Sequence, residues 1–168
     1  MIHVRDAVPA DVADITRIVN ALIGTTTITW RGEPHPLGER EQWFARQSAA
    51  GLPVLVAVDD GAVVGVASYG PFRDNDKWPG YRFTVEHSVH VDEGAWGAGV
   101  GRRLMDELIA RAAAAGIHVM IGAVDASNDG SVRFHERIGF VEQGRLREVG
   151  WMDDRWLDLV FMVRRIDG

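Results

Sequence analysis

Apolar residues recur along this chain at two periods, one helical and one extended. Val12, Ile15, Val19 and Leu22 fall three or four apart after Pro9-Ala10-Asp11, and Gly24 follows them, so the spacing predicts a helix there. A second helix is expected over residues 38–49, carrying Trp43 and Phe44. The clearest helix spans 99–115. Val100, Leu104, Leu108, Ala112 and Ala115 share its apolar face, and Gly116 stops it. A short fourth helix is expected over 131–138, ended by Gly139. Extended segments are predicted over 2–7, 53–58, 63–68, 82–91, 118–124, 140–147 and 156–164. Asp59-Asp60-Gly61 joins two of them as a hairpin turn. Residues 25–36 read as an irregular loop and 70–80 as a turn-rich insert. The order β-α-α-β-β-β-α-β-α-β-β predicts a mixed α/β sandwich.

The 168 residues amount to one domain, expected over 1–168. At 46% hydrophobic and 25% charged residues, the composition is that of a globular chain and excludes disorder and collagen. No stretch approaches the ~18 apolar residues of a membrane span. The opening Met1-Ile2-His3-Val4-Arg5-Asp6 lacks a basic region followed by an apolar one, so a cytoplasmic protein is expected. Cysteine is absent, which excludes disulfides, thiolate metal ligands and an acyl-cysteine intermediate. Eighteen basic against 24 acidic residues give a net charge of −6. That balance argues against nucleic acid and acidic membranes as partners, and leaves room for one small anion held by a local site.

Such a site is written into Trp96-Gly97-Ala98-Gly99-Val100-Gly101-Arg102-Arg103, which follows a predicted strand and opens a predicted helix. Glycines let backbone N–H groups approach an anion closely, and a helix N-terminus adds partial positive charge. A pyrophosphate is the natural guest. The dinucleotide fingerprint fails, because its third glycine would fall on Arg102, and the Gly-Lys-Ser/Thr end of a P-loop is missing.

A second block follows, Asn128-Asp129-Gly130-Ser131-Val132-Arg133-Phe134-His135-Glu136-Arg137-Ile138-Gly139-Phe140. Together the two blocks resemble the Gcn5-related N-acetyltransferase (GNAT) superfamily, over nearly the whole chain. Thr84-Val85-Glu86-His87-Ser88-Val89-His90-Val91, the Trp30 loop and Arg155-Trp156-Leu157-Asp158-Leu159 are similar to its phosphinothricin/methionine sulfoximine N-acetyltransferase branch. Two features depart from that pattern. Trp96 stands where Arg or Gln is usual, and the insert from Asp74 to Gly80 is longer and more charged.

The resemblance implies the acyl-CoA N-acyltransferase fold, a mixed, mostly antiparallel central sheet flanked by helices. It implies direct transfer of acetyl from acetyl-CoA to the amine of a small amino-acid analogue, in a ternary complex. Gly97, Ala98, Gly99, Val100, Gly101 and Arg102 are then expected to hold the pyrophosphate. Val89, His90 and Val91 are expected to pair with the pantetheine arm, with a Val89 N–H facing the thioester oxygen. Asn128 and Ser131 join the cofactor contacts.

Glu86, three residues before Val89 on the same predicted strand, is the expected general base. By analogy His135, where many relatives have Tyr, is the expected proton source for the leaving thiolate. Arg73, Lys77 and Arg82 are candidates for an acceptor carboxylate or phosphinate. Trp30, Phe72, His87 and Ser88 are further candidate acceptor contacts.

No metal is expected. His87 and His90 lie three apart on a strand and so face opposite ways, and no cluster supplies three ligands. Alternatives are acetylation of an unrelated small amine or a protein N-terminus, and a non-catalytic acyl-CoA sensor. Trp151, Trp156 and Leu157 are expected to form a homodimer face, by analogy with relatives and from interface preferences.

Overall fold

A computed structural model describes residues 1–166; Asp167 and Gly168, the end of the expected 1–168 domain, lie outside the described residues. Seven strands form one sheet: β1 (His3–Asp6), β2 (Val54–Asp59), β3 (Ala62–Pro71), β4 (Thr84–Val91), β5 (Val119–Asp125), β6 (Val141–Met152) and β7 (Arg155–Arg165). Their spatial order is β1-β2-β3-β4-β5-β7-β6. Every neighbouring pair is antiparallel except β4 and β5. The helices are α1 (Val12–Ala21), α2 (Leu37–Ala49), α3 (Val100–Ala114) and α4 (Asp129–Arg137). The expected order of elements and the mixed, mostly antiparallel α/β class are both found.

The sheet is covered on both faces, and β2 shows why. Its residues from Val54 to Val58 are all buried, so alternate side chains must enter two different cores. Val54, Val56 and Val58 meet Val12, Ile15, Ile18 and Val19 of α1 and Phe44 of α2. Leu55 and Ala57 point the other way, into the core built on Val100, Leu104, Met105, Leu108 and Ala112 of α3. Ala115, expected on that apolar stripe, is exposed, because α3 ends at Ala114 and the chain is already turning away.

The predicted hairpin and a second one, between β6 and β7, each close with two consecutive positive φ values, as type I′ turns require. These are Asp60 and Gly61 after β2, and Asp153 and Asp154 after β6. β6 runs well past its expected end at Arg147, to Met152. It does so irregularly: Leu146 pairs with Leu159 but Gly150 with Leu157, so two extra residues bulge out, with Glu148 at φ 53°. Trp151 and Trp156 face each other across the hairpin, 4.9 Å between ring centroids, and both are exposed. Leu157, expected with them in a dimer face, is instead buried, because alternation turns it to the opposite face of β7 from Trp156.

Two contacts set α3 against the sheet at the end where the glycine loop begins. Arg17 of α1 reaches Asp92 at 2.6 Å, and Asp92 in turn accepts from the Gly94 N–H at 3.2 Å. On β3, a Cβ added at Gly65 would lie 2.9 Å from Val100 and 3.0 Å from Leu104. Only glycine lets the first turn of α3 sit this close. Gly65→Ala is expected to destabilise the fold by about 1–3 kcal/mol through overpacking. Urea unfolding measures it, and an unchanged midpoint would show that α3 yields freely.

Candidate active site

β4 and β5 pair over three residues only, Thr84 with Val119, Val85 with Met120 and Glu86 with Ile121. Beyond Glu86 they part. β4 stays bonded to β3 as far as Val91, and β5 stays bonded to β7 as far as Asp125. A wedge opens between them.

Backbone direction in the wedge follows from its closed end. The Phe83 carbonyl accepts from His118 and Val119 on the β5 side, whereas the Thr84 carbonyl accepts from Phe72 on the β3 side. Alternation then sends the N–H and C=O groups of His87, Val89 and Val91 into the wedge. The Val91 carbonyl is met there by the Trp96 indole N–H at 2.9 Å.

The wedge continues into a groove of about 650 Å³ that ends at the glycine loop. Val89, His90, Val91, Gly97, Gly99, Val100, Gly101, Arg102, Asn128 and Ser131 all line it. Gly97 and Gly99 both take φ 79°, a left-handed value that turns the chain sharply into α3. The first-turn N–H groups of Val100, Gly101 and Arg102 have no carbonyl four residues back to bond. These are among the backbone groups assigned to an anion from the sequence.

Two details differ. The Ala98 N–H turns back to the Ala95 carbonyl at 3.4 Å, and Ala98 does not line the groove. The Arg102 guanidinium is held by Asp106 at 2.8 Å, so Arg102 offers the groove its backbone more than its charge. Asn128 caps α4, accepting from the Ser131 N–H at 3.0 Å. Phe134, Arg137, Leu22 and Ile28 also line the groove and were missed in the sequence. Trp96, 53% exposed, adds an aromatic wall at the position where the resemblance makes Arg or Gln usual.

Side chains of β4 divide between the two faces. Glu86, Ser88 and His90 share the face toward α1 and α2. The Glu86 carboxyl reaches solvent, yet the surrounding protein pushes its pKa above the ordinary carboxylate value, and the positive charge of Arg73 only partly offsets this. Ser88 lies 3.3 Å from the Ser68 hydroxyl. Burial, with Arg40 and His35 nearby, pushes His90 down to about 4, so it is neutral at pH 7.

His87, a candidate acceptor contact, does not share the face of Glu86. Alternation sends it to the opposite face, where it is 7% exposed and packs edge-on against Phe140. It meets His135, 3% exposed, at 5.2 Å between ring centroids. His135 Nδ1 lies 2.7 Å from the Ser131 carbonyl, so Nδ1 carries the proton and donates it. Its Nε2 therefore holds a bare lone pair, without a partner among the described residues. Burial lowers the His135 pKa, and the Ser131 carbonyl opposes this only in part. The near-neutral proton donor expected at His135 is thus a neutral ring in this structure, turned toward His87 and absent from the groove lining.

The acceptor-side candidates are scattered. Arg73 stacks over Phe72 at 5.0 Å and is the cation whose charge acts on Glu86. Phe72 also meets Tyr81 edge-on at 5.8 Å. Arg82 bonds the Pro79 carbonyl at 3.1 Å and stacks over Phe83 at 4.5 Å, away from Glu86. Lys77 is exposed in the insert. Trp30 is half-buried, and its indole N–H donates to Asp125 at 3.2 Å. Asp125, at the end of β5, was missed. Burial alone would raise its pKa, but bonds from Ser127, Thr27 and Trp30 prevail and hold the carboxyl below its ordinary value. No group of three or more His, Asp or Glu side chains among the described residues is placed to hold a metal ion.

The family model of the Acetyltransferase (GNAT) family matches residues 15–140. The chain is 43% identical over 165 residues to an L-methionine sulfoximine/L-methionine sulfone acetyltransferase of Pseudomonas aeruginosa, covering 98% of this chain and 94% of the relative. A crystal structure of a GNAT superfamily phosphinothricin acetyltransferase from Sinorhizobium meliloti in complex with AcCoA superposes with a TM-score of 0.92 at 34% identity, covering 98% of this chain and 88% of that one. A ribosomal-protein-alanine N-acetyltransferase structure from Brucella melitensis superposes with a TM-score of 0.93 at 40% identity, covering 97% and 99%.

The buried histidines make stability depend on pH. His87 titrates near 3 in the folded chain and near its ordinary 6.5 when unfolded. Between those values the unfolded chain binds a proton that the folded chain refuses, so stability is complete above about 6.5 and is lost as pH falls. Unfolding free energy is expected to drop between pH 6.5 and 4, and to drop less steeply in His87→Gln. Parallel slopes for the two proteins would refute this.

Proposed function

Because the chain belongs to the Acetyltransferase (GNAT) family of N-acetyltransferases, we propose that it moves the acetyl group of acetyl-CoA onto the amine of a small amino-acid analogue of the methionine sulfoximine, methionine sulfone or phosphinothricin type. One observation carries the reading. A glycine-rich helix N-terminus and a wedge of unpaired strand backbone are joined in one groove, and the wedge opens one residue past an accessible carboxylate, Glu86.

The backbone of Gly97, Gly99, Val100, Gly101 and Arg102 holds the pyrophosphate, and the wedge-facing groups of Val89 and Val91 hold the pantetheine arm. The Val89 N–H polarises the thioester carbonyl, a contribution of about 10²–10³ in rate for one such donor. Glu86 takes a proton from the acceptor ammonium. The freed amine attacks the carbonyl carbon, the C–N bond forms and the C–S bond breaks. The second proton passes from nitrogen to the departing sulfur. This assignment leaves His135 out of proton donation, since its one ring proton is committed to the Ser131 carbonyl. Arg73, beside Glu86, is the cation for the acceptor's carboxylate or phosphinate, with Phe72 and Trp30 as apolar walls.

We further propose a single domain over the whole chain, a cytoplasmic location and a role in detoxifying such analogues. No helix among the described residues is long and apolar enough to cross a membrane. A second reading, acetylation of a protein N-terminus, is favoured by the similarity to the Brucella structure.

Thiol release from acetyl-CoA separates the readings. Methionine sulfoximine, methionine sulfone, phosphinothricin, ordinary amino acids, a polyamine and a peptide with a free N-terminus form the panel. Turnover is expected with the first three, and turnover with the peptide alone would replace this reading with the second. Glu86→Gln is expected to lower kcat by about 10²–10⁴ while acetyl-CoA still binds. In the wild type, kcat/KM should rise with pH through the raised pKa of Glu86, because only the carboxylate accepts a proton. That limb should vanish in Glu86→Gln.

The exposed Trp151 and Trp156, with Leu146 and Val149 on the same hairpin, support a homodimer. Size-exclusion chromatography with light scattering is expected to give twice the chain mass, and Trp151→Glu to give the monomer.

A further inference from the structure

The loop between α1 and α2 carries both Trp30 and Ile28, and Ile28 forms part of the groove wall. Its ends are fixed by α1. The Thr26 hydroxyl donates to the Leu22 carbonyl at 2.9 Å. Asn20 brackets His35, donating to its carbonyl at 2.9 Å and accepting from its N–H at 2.8 Å. Between these anchors the loop is also tied at Arg31, which bonds Glu39 of α2 at 2.9 Å, and at Thr27 and Trp30, which both bond Asp125 far away in sequence. The Trp30 indole N–H bonds Asp125 at the end of β5, on the far strand of the wedge. Its six-membered ring lies against Gly150 of β6, where an added Cβ would sit 2.5 Å from Cζ3 and 2.6 Å from Cε3. Gly150 follows the bulge, whose Glu148 N–H is held by Asp158 at 2.9 Å.

Neither partner is placed by chance of packing alone. Asp125 is 4% exposed, with one oxygen taken by the Ser127 N–H at 2.7 Å and hydroxyl at 2.6 Å, so the other is aimed at the indole. Gly150 is buried in a strand, where glycine is otherwise unfavourable and marks a close approach.

We propose that Asp125 and Gly150 are positioning residues. Together they form a socket that locks the Trp30 indole and so fixes the α1–α2 loop as a wall of the acceptor site. The socket spans two strands, so it also ties the loop to the β6–β7 hairpin. The acceptor part of this inference rests on the reading above; the locking of the loop does not.

The test is a double-mutant cycle between Gly150→Ala and Trp30→Ala, with two readouts. One is amide hydrogen exchange over residues 25–36 in the protein alone. The other is the acceptor KM set against kcat, using methionine sulfoximine. Gly150→Ala is expected to speed exchange in the loop and to raise the acceptor KM about tenfold, more than it lowers kcat, since a misplacement of about 1 Å in a positioning group is costly. In the Trp30→Ala background the clash is gone, and Gly150→Ala is expected to change neither readout further. Asp125→Asn, which retains one oxygen for the indole, is expected to lie between wild type and Asp125→Ala in both.

Unchanged loop exchange in Gly150→Ala overturns the proposal. So does an effect that persists in full without Trp30, because it would come from the strand itself. A loosened loop with no turnover of methionine sulfoximine supports the socket and overturns the acceptor reading instead.

Discussion

From His87 to Val91, β4 has a strand on one side only. A sheet broken in its middle leaves backbone donors and acceptors without partners, and an unpaired polar backbone group is costly once water is excluded. The rest of the architecture is arranged around that break. β3 and β7 hold the outer edges of β4 and β5 in register, so the two strands diverge without fraying. α3 and α4 wall the opening, and the glycine loop places a helix N-terminus at its mouth. The arm proposed to bind here, extended, carrying amide groups and ending in a pyrophosphate, would complete both deficits at once, as the missing strand and as the anion at the helix end.

The break also explains the electrostatics of the two faces. Side chains from β4 that turn toward α3 and α4 are largely buried, and burial lowers the pKa of His87 and of His135, its neighbour there. Side chains that turn toward α1 and α2 meet the open side of the site. Glu86 there is desolvated enough to bind a proton more tightly than a free carboxylate, yet it remains reachable. One strand thus keeps a reachable carboxylate and a buried histidine on neighbouring residues, purely through alternation.

Distant parts of the chain converge at the α1–α2 loop. Trp30 from the α1–α2 loop, Asp125 from β5 and Gly150 from β6 meet in one contact, although more than a hundred residues separate the first from the last. The hairpin that supplies Gly150 also displays Trp151 and Trp156 outward. A partner covering those indoles would therefore press on the same strand that seats Trp30.

By itself the sequence determined the order of the elements, because period 3.6 and period 2 are local properties that survive in any context. It also made the candidate anion site legible, since the glycines, the turn and the helix start are neighbours in the chain. Glu86, Asn128 and Arg73 stood out as candidates for the same reason, each lying in or next to a motif. Only the tertiary structure decided which way His87 faces, because alternation assigns faces relative to one another and not to a particular layer. It alone showed that the proton of His135 is committed to Ser131, that Arg82 turns to its own turn carbonyl, and that Leu157 is core. Asp125 and Gly150 lie outside every motif. A buried acid and a strand glycine acquire meaning only when the fold brings an indole from the other end of the chain against them.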